Sequence, residues 1–449
     1  MLPVTRGTPL LRIAQMGAAF AASDLLSSAI GLATSLVIAR GLGRDGFGRW
    51  TLCAAAASGL TAAFDLGFGV LLTRDAARQD DDIGSIVTAA LTARLALFLP
   101  VGLFVYAGAP GAGAGAVPAA TLHAVAMLAA AGIAYGCVAA IYRASPRRLV
   151  AILTVETIGA GVQCAGAVLI VRAGGTIADL LRLAAGVQMA QLVAALALWR
   201  LVAPHSRLER PSVASAWAHL RRALPFALTG FVASAHARMA PLLLGYLSSA
   251  VEVAAFGVAS RLESIARRVP HAAFGAALPV FAHESTHGRS ESLRARFDGA
   301  LRWFAIAAAL VIVVAATPIV RLTYGDRFAE AAWPLMWAGV GLVPSLVNNG
   351  RKVHLYAAGA ERVALRWSVV ALAVHAAAGV ALIPHFGAAG AMWSLGIAEA
   401  AVWLPLRAVD KAVTPEACGP APGAPEASSA LRDSRAEIRT RAADPREPA

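Results

Sequence analysis

The chain has 449 residues, of which 58% are hydrophobic and 14% charged, and it carries a formal net charge of +13. With a mean hydropathy of +0.65 it has too little polar surface for a water-exposed domain, so the expected solvent is lipid. The positive charge would indicate nucleic acid in a soluble protein. Here the arginines gather in short connections between apolar runs, so topology explains them and no nucleic-acid partner is expected.

A bilayer core of about 30 Å takes roughly 20 apolar residues per helix. Runs of that length occur at 12–39, 50–72, 83–106, 117–142, 149–171, 178–202, 223–247, 251–281, 300–322, 329–349, 363–384 and 387–407. Each is expected to be a helix. Lipid offers the backbone no outside partner, and the runs are too long and too evenly apolar for barrel strands. The first run contains Ala19-Phe20-Ala21, a sequence like a signal cleavage site, but it continues to Ala39 and is read as an uncleaved first span. The basic stretch 203–222 divides the spans six and six. The expected fold is therefore all-α integral membrane, with twelve transmembrane helices in two six-helix halves around a central cavity. The expected divisions are 1–205 for the first half, 206–222 for a cytoplasmic linker, 223–408 for the second half, and 409–449 for a disordered cytoplasmic tail.

Alternate connections differ in charge. One side carries Arg143, Arg147 and Arg148, then Arg207, Arg210, Arg221 and Arg222, then Arg289, Arg294 and Arg296; the other side is much poorer. The positive-inside rule then places both termini in the cytoplasm. Cys53, Cys137, Cys164 and Cys418 show neither metal-ligand nor disulfide-framework spacing and read as free thiols.

Arg40-Gly41-Leu42-Gly43 followed by Phe47-Gly48 resembles the N-terminal signature of the polysaccharide-exporting flippases. That family sits in the superfamily that also holds the multidrug and toxin extruders. Three further stretches are similar to the family in the same order: Gly257-Val258-Ala259-Ser260-Arg261-Leu262, Tyr324-Gly325-Asp326 with Phe328, and Ile383-Pro384-His385-Phe386-Gly387. The resemblance implies transport of a lipid-linked oligosaccharide, such as an O-antigen unit, across the bacterial cytoplasmic (inner) membrane during lipopolysaccharide or other surface polysaccharide biosynthesis. It implies membrane lipid and glycan polymerase machinery as partners. Independently of kinship, these glycines also read as tight turns and close helix approaches.

An ionisable group near the bilayer centre costs about 2.5–3.5 kcal/mol on insertion scales and should face a cavity or a partner. Arg94, Arg238, Arg261, Arg267 and Arg268 are such groups. Guanidinium groups hold phosphate oxygens through paired hydrogen bonds, so Arg238 is the first expected substrate contact, with Arg261, Arg268 and Arg94 beside it. Arg261 and Arg268 stand seven residues apart, on nearly one helix face. Glu263 and Arg267, at i and i+4, can instead neutralise one another. Asp24, Asp65 and Glu156 read as charge partners for these arginines or as coupling-ion sites. Gln163, Gln188, Gln191, Asn348 and Asn349 read as helix-to-helix bonds, or as partners for sugar hydroxyls.

The chain has no nucleophile elbow and no phosphate loop ending in Gly-Lys, so no enzyme and no cofactor is expected. His283-Glu284-Ser285-Thr286-His287 matches the zinc-protease pattern, but Gly288 and a polar run follow at once, so it reads as a chance match and no metal is expected. A cation-coupled multidrug exporter remains the alternative transporter. A membrane zinc protease is the alternative from another class.

Overall fold

The computed structural model describes residues 9–69, 71–72, 83–107, 118–143, 146–202, 213–285 and 290–412. Because an apolar run in lipid must close its own backbone hydrogen bonds, the described chain is helical almost throughout. Its helices are α1 (Pro9–Ala63), α2 (Ile83–Tyr106), α3 (Ala119–Arg143), α4 (Pro146–Arg172), α5 (Ile177–Val202), α6 (Val213–Leu247), α7 (Ala250–Ser285), α8 (Ser290–Tyr324), α9 (Ala332–Ala357) and α10 (Glu361–Ala412). A 3-10 turn, Asp326–Ala331, joins α8 to α9.

The first and last helices are each broken by one glycine. Gly43 (φ 69°) divides α1 and Gly387 (φ 51°) divides α10, in backbone conformations that a side chain would strain. Both breaks reverse the chain. His375 precedes Gly387 and Glu399 follows it, yet both stand beside His236 of α6, so the two legs of α10 run back alongside each other. Counting each leg of α1 and α10, the described helices make the twelve passes that hydropathy predicts.

Some boundaries move. The second leg of α1 ends at Ala63, ahead of the expected 72, in a turn where Leu66 and Gly67 take positive φ. The helix α6 begins at Val213, inside the stretch expected to be linker. Likewise α9 extends past the expected 349 to Ala357, because Arg351, His354 and Leu355 are buried there and the helix continues to serve that packing. Of the expected disordered tail 409–449, residues 409–412 continue α10, and 413–449 lie outside the described residues.

Among the described residues, eight of the helices are long and apolar enough to cross a membrane, and α7 and α9 fall short. Their position explains why. The helix α9 packs against α7, α8 and α10, burying Asn348, Arg351 and His354, while α7 packs against α1 and α9. Interior helices meet protein instead of lipid and tolerate polar residues that an outer helix cannot.

The helices α1 to α5 pack on one another, as do α6 to α10, and across the divide α1 meets α6 and α7 while α2 meets α6. That junction is tightest at the end of the bundle carrying Gly43. A Cβ on Gly48 would lie 1.7 Å from the Ala250 carbonyl oxygen, so the second leg of α1 and the start of α7 touch backbone to backbone. Phe47 stacks on Trp50 at 5.6 Å and meets Phe328 edge-on at 5.8 Å, with Tyr324 at 6.2 Å. The Tyr324 hydroxyl bonds Ser35 at 2.9 Å, Arg40 donates to the Thr323 carbonyl, and Arg44 pairs with Glu330. The carboxylate of Glu252 accepts the Ala388 amide at 2.6 Å, capping the leg that follows Gly387. All four motif stretches of the sequence therefore converge on one closed end.

Candidate functional site

Away from the Gly43 end the first half and α6 of the second enclose a cavity of about 530 Å³, whose lining includes Ser58, Asp65, Arg94, Tyr135, Arg143 and Arg238. The cavity lies between the second leg of α1 and helices α2, α3, α5 and α6. Small residues keep it open: Gly132, Gly136 and Gly230 are on its wall.

The cavity arginines differ in how far they are already committed. Arg94 is 2% exposed; its Nε donates to the Phe64 carbonyl at 2.9 Å, its Nη1 to Cys137 Sγ at 3.2 Å, and its Nη2 stands 3.4 Å from Asp65 Oδ1. Asp65 in turn accepts the Gly69 amide. Arg94 thus pins the turn after α1 to α2 and α3. Arg143 is paired as well, donating to Glu156, which also accepts the Tyr135 hydroxyl at 3.0 Å. Glu156 therefore sits as a charge partner of Arg143.

Arg238 is different. Its Nε donates to the Ser58 hydroxyl at 3.1 Å and its Nη1 reaches the Ser234 carbonyl at 3.4 Å, and no carboxylate of a described residue stands within ion-pair distance. Its guanidinium spans from α6 to α1, across the two halves, and keeps donor capacity toward the cavity.

A second cavity of about 270 Å³ opens between the first leg of α1 and α7, lined by Ser27, Ser28, Gly31, Arg261, Ser264 and Arg268. Arg261 and Arg268 thus share one lining, as their spacing predicts. Arg261 also has no described carboxylate within ion-pair distance, and Gly31 makes room for its guanidinium, 3.8 Å from where a Cβ would stand. Arg267, between them in sequence, turns the other way. Its Nε donates to Glu263 at 2.7 Å and its Nη1 to Ser345 at 2.7 Å, so this i,i+4 pair is internally neutralised.

Asp24 lies in α1, with its side chain outside the described residues. Gln188 lines the larger cavity, while Gln191 is pressed against Gly159, whose absent Cβ would meet it at 2.1 Å. Asn348 is fully buried and donates to both the Glu399 carbonyl (2.7 Å) and its carboxylate (2.8 Å), tying α9 to α10. Gln163 and Asn349 line neither cavity. In the His283–His287 stretch α7 is described as far as Ser285, and the ligand side chains lie outside the described residues. Sequence reasoning passed over Ser58, whose hydroxyl holds Arg238, and Tyr135, whose hydroxyl holds Glu156. Small hydroxyls and tyrosines give no signal until a partner is in view.

A sequence model of the family described as polysaccharide biosynthesis protein matches residues 14–284. The chain belongs to that family. The match runs from α1 into the end of α7 and so includes Arg94, Arg238, Arg261 and Arg268. No curated protein matches this family member by sequence. Its fold is similar to a multidrug resistance MATE family transporter of the MOP superfamily in an inward-facing conformation: TM-score 0.64, 15% identity, covering 86% of this chain and 95% of that one. The outward-facing conformation of such a transporter gives a TM-score of 0.59 at 16% identity over 91% and 97% of the two chains. A MOP superfamily transporter from Pyrococcus furiosus gives 0.56 at 16% identity, over 91% and 97%. The polysaccharide biosynthesis family member is thus a multi-pass membrane protein with the MOP transporter fold.

Proposed function

We propose that the chain moves a polyprenyl-diphosphate-linked oligosaccharide across the bacterial cytoplasmic membrane by alternating access, as a step in surface polysaccharide assembly. The observation that carries this reading is Arg238, a guanidinium without a carboxylate partner facing a cavity between the two halves. A diphosphate is dianionic or more and offers paired acceptors, which is what a free guanidinium fork binds best. Arg261 and Arg268 offer a second cationic lining beside the first leg of α1. The head group sits in the cavity while the polyprenyl tail stays in lipid. No covalent bond changes, so the protein acts as a transporter and not as an enzyme.

The loop charges orient the cavity toward the cytoplasm, with both termini there, and make the packed Gly43 end the periplasmic gate. Rocking the halves separates Gly48 from Ala250 and opens that end. A cation-coupled drug exporter would call for acids in the cavity, whereas Asp65 and Glu156 are both spent on arginines. The Pyrococcus transporter is described as having a binding pocket of reverse polarity that suggests a different function, so this fold accommodates cavities of either sign. Glycan polymerase machinery would take the delivered unit, whether O-antigen or another repeat.

The test is complementation. A deletion strain should lose its surface polysaccharide and recover it with the intact gene, and Arg238→Ala should fail to restore it at normal protein level. A deletion strain that assembles its glycans normally and becomes drug-sensitive would instead establish the exporter.

A further inference from the structure

At the end of the bundle remote from Gly43, three helices bring one side chain each to a common point. Asp298 near the start of α8, His354 near the end of α9 and Asp410 near the end of α10 meet there, and one ligand atom from each lies within 4.8 Å of the others. Gly350 permits the approach: a Cβ there would stand 2.8 Å from Leu301, so α8 and α9 close up one turn from His354. The imidazole is 2% exposed, against 32% for Asp298 and 17% for Asp410. Phe281 meets it edge-on at 5.0 Å and Phe297 lies at 6.4 Å, so its walls are aromatic.

The two ring nitrogens both point at carboxylates. His354 Nδ1 is 3.4 Å from Asp410 Oδ2, and Nε2 is 3.5 Å from Asp298 Oδ1. Nε2 is buried and has no hydrogen-bond partner. A neutral imidazole carries one proton, so in either tautomer a ring lone pair faces a carboxylate oxygen, acceptor against acceptor. A cation belongs there, either a second ring proton or a metal ion. Arg302, Arg351 and Arg407 are near enough to be felt electrostatically, yet none reaches ion-pair distance of either aspartate. Arg351 instead donates to the Trp403 carbonyl at 2.8 Å and lies over the Trp403 ring.

We infer that Asp298, His354 and Asp410 form a binding site for a divalent transition-metal ion of the Zn²⁺ class. Imidazole nitrogen and carboxylate oxygen are the donors such an ion takes, with solvent completing the shell on the exposed side of Asp298. Tetrahedral bonds of about 2.0–2.1 Å set ligand atoms roughly 3.4 Å apart, close to the 3.5 Å between Nε2 and Asp298 Oδ1. The imidazole gives one nitrogen to the ion, and its other N–H bonds to a carboxylate oxygen, which fixes the ring. The ion ties α8, α9 and α10 together and stiffens the second half. The site is separate from both arginine-lined cavities and does not depend on what the protein transports.

The test uses the purified full chain in detergent, stripped with a chelator and titrated with Co²⁺ as a visible probe of Zn²⁺ sites. Visible d–d bands should appear, saturate near one ion per chain and vanish on adding Zn²⁺. His354→Gln and Asp298→Asn should each weaken binding by more than the roughly 10–100-fold that loss of an outer-shell partner costs, and Asp410→Asn, which removes the acceptor of the Nδ1 proton, by about that amount. His283→Ala should leave it unchanged, which separates this site from the His283–His287 motif. Size-exclusion elution reports whether each variant is folded. If the unmodified protein shows neither bands nor a Zn²⁺-dependent rise in melting temperature, the inference is overturned whatever the variants do. It is overturned equally if folded aspartate variants bind as tightly as the unmodified chain, or if binding is lost in His283→Ala.

Discussion

Replacing Arg94 by Met tests whether this arginine supports the fold rather than the cargo. The substitution keeps the length of the apolar stem and removes a guanidinium that is 2% exposed. It leaves the Phe64 carbonyl and the Asp65 carboxylate without their donor, and takes a contact from Cys137. Breaking a buried ion pair from one side costs about 3–5 kcal/mol, because the surviving charge stays desolvated. Asp65 is 33% exposed and recovers part of its hydration, so the lower end, about 3 kcal/mol, is expected. Against a total stability of about 5–15 kcal/mol that is a large fraction, and the detergent-solubilised variant should melt well below the parent. Adding Asp65→Asn should restore part of the loss, since the unpaired charge is then gone. The assay is a thermal melt followed by loss of monodisperse protein. A melting curve for Arg94→Met that overlays the parent, or an Asp65→Asn addition that lowers it further, would refute the reasoning.

Arg238→Ala should behave in the opposite way, with an unchanged melt because only a serine hydroxyl and a carbonyl lose their donor. Losing a charged hydrogen bond of about 1.5–3 kcal/mol should weaken binding of a soluble prenyl-diphosphate analogue about 10- to 100-fold, read by titration calorimetry. Gly48→Ala drives a methyl into the Ala250 carbonyl, so the closed Gly43 end should lose about 1–3 kcal/mol. Spin labels across that end should then report a larger open population. Tyr324→Phe removes the 2.9 Å bond to Ser35 while keeping the ring stack, and should cost about 0.5–1.5 kcal/mol in the same melt.

Much of the architecture was legible in the sequence because lipid leaves so few options. A long apolar run must be a helix, and Gly43 and Gly387 mark the reversals that make twelve passes from ten continuous helices. The spacing of Arg261 and Arg268 placed them on one lining, and the i,i+4 relation of Glu263 to Arg267 anticipated their pairing. These are local relations, carried by the period of a single helix.

Contacts between helices distant in sequence were a different matter. Arg94 and Arg238 are alike in the sequence, each an arginine in an apolar run, yet one is held by Asp65, Phe64 and Cys137 and the other faces a cavity. Asp298, His354 and Asp410 have no spacing that signals a cluster, and they meet only because the start of α8 and the ends of α9 and α10 lie at the same level of the bundle. Composition and periodicity determined that this protein crosses a membrane and where its helices turn. Which charges are neutralised, and which are left to act, was decided by packing, since an ion pair depends on a few ångströms between side chains that the order of residues does not encode.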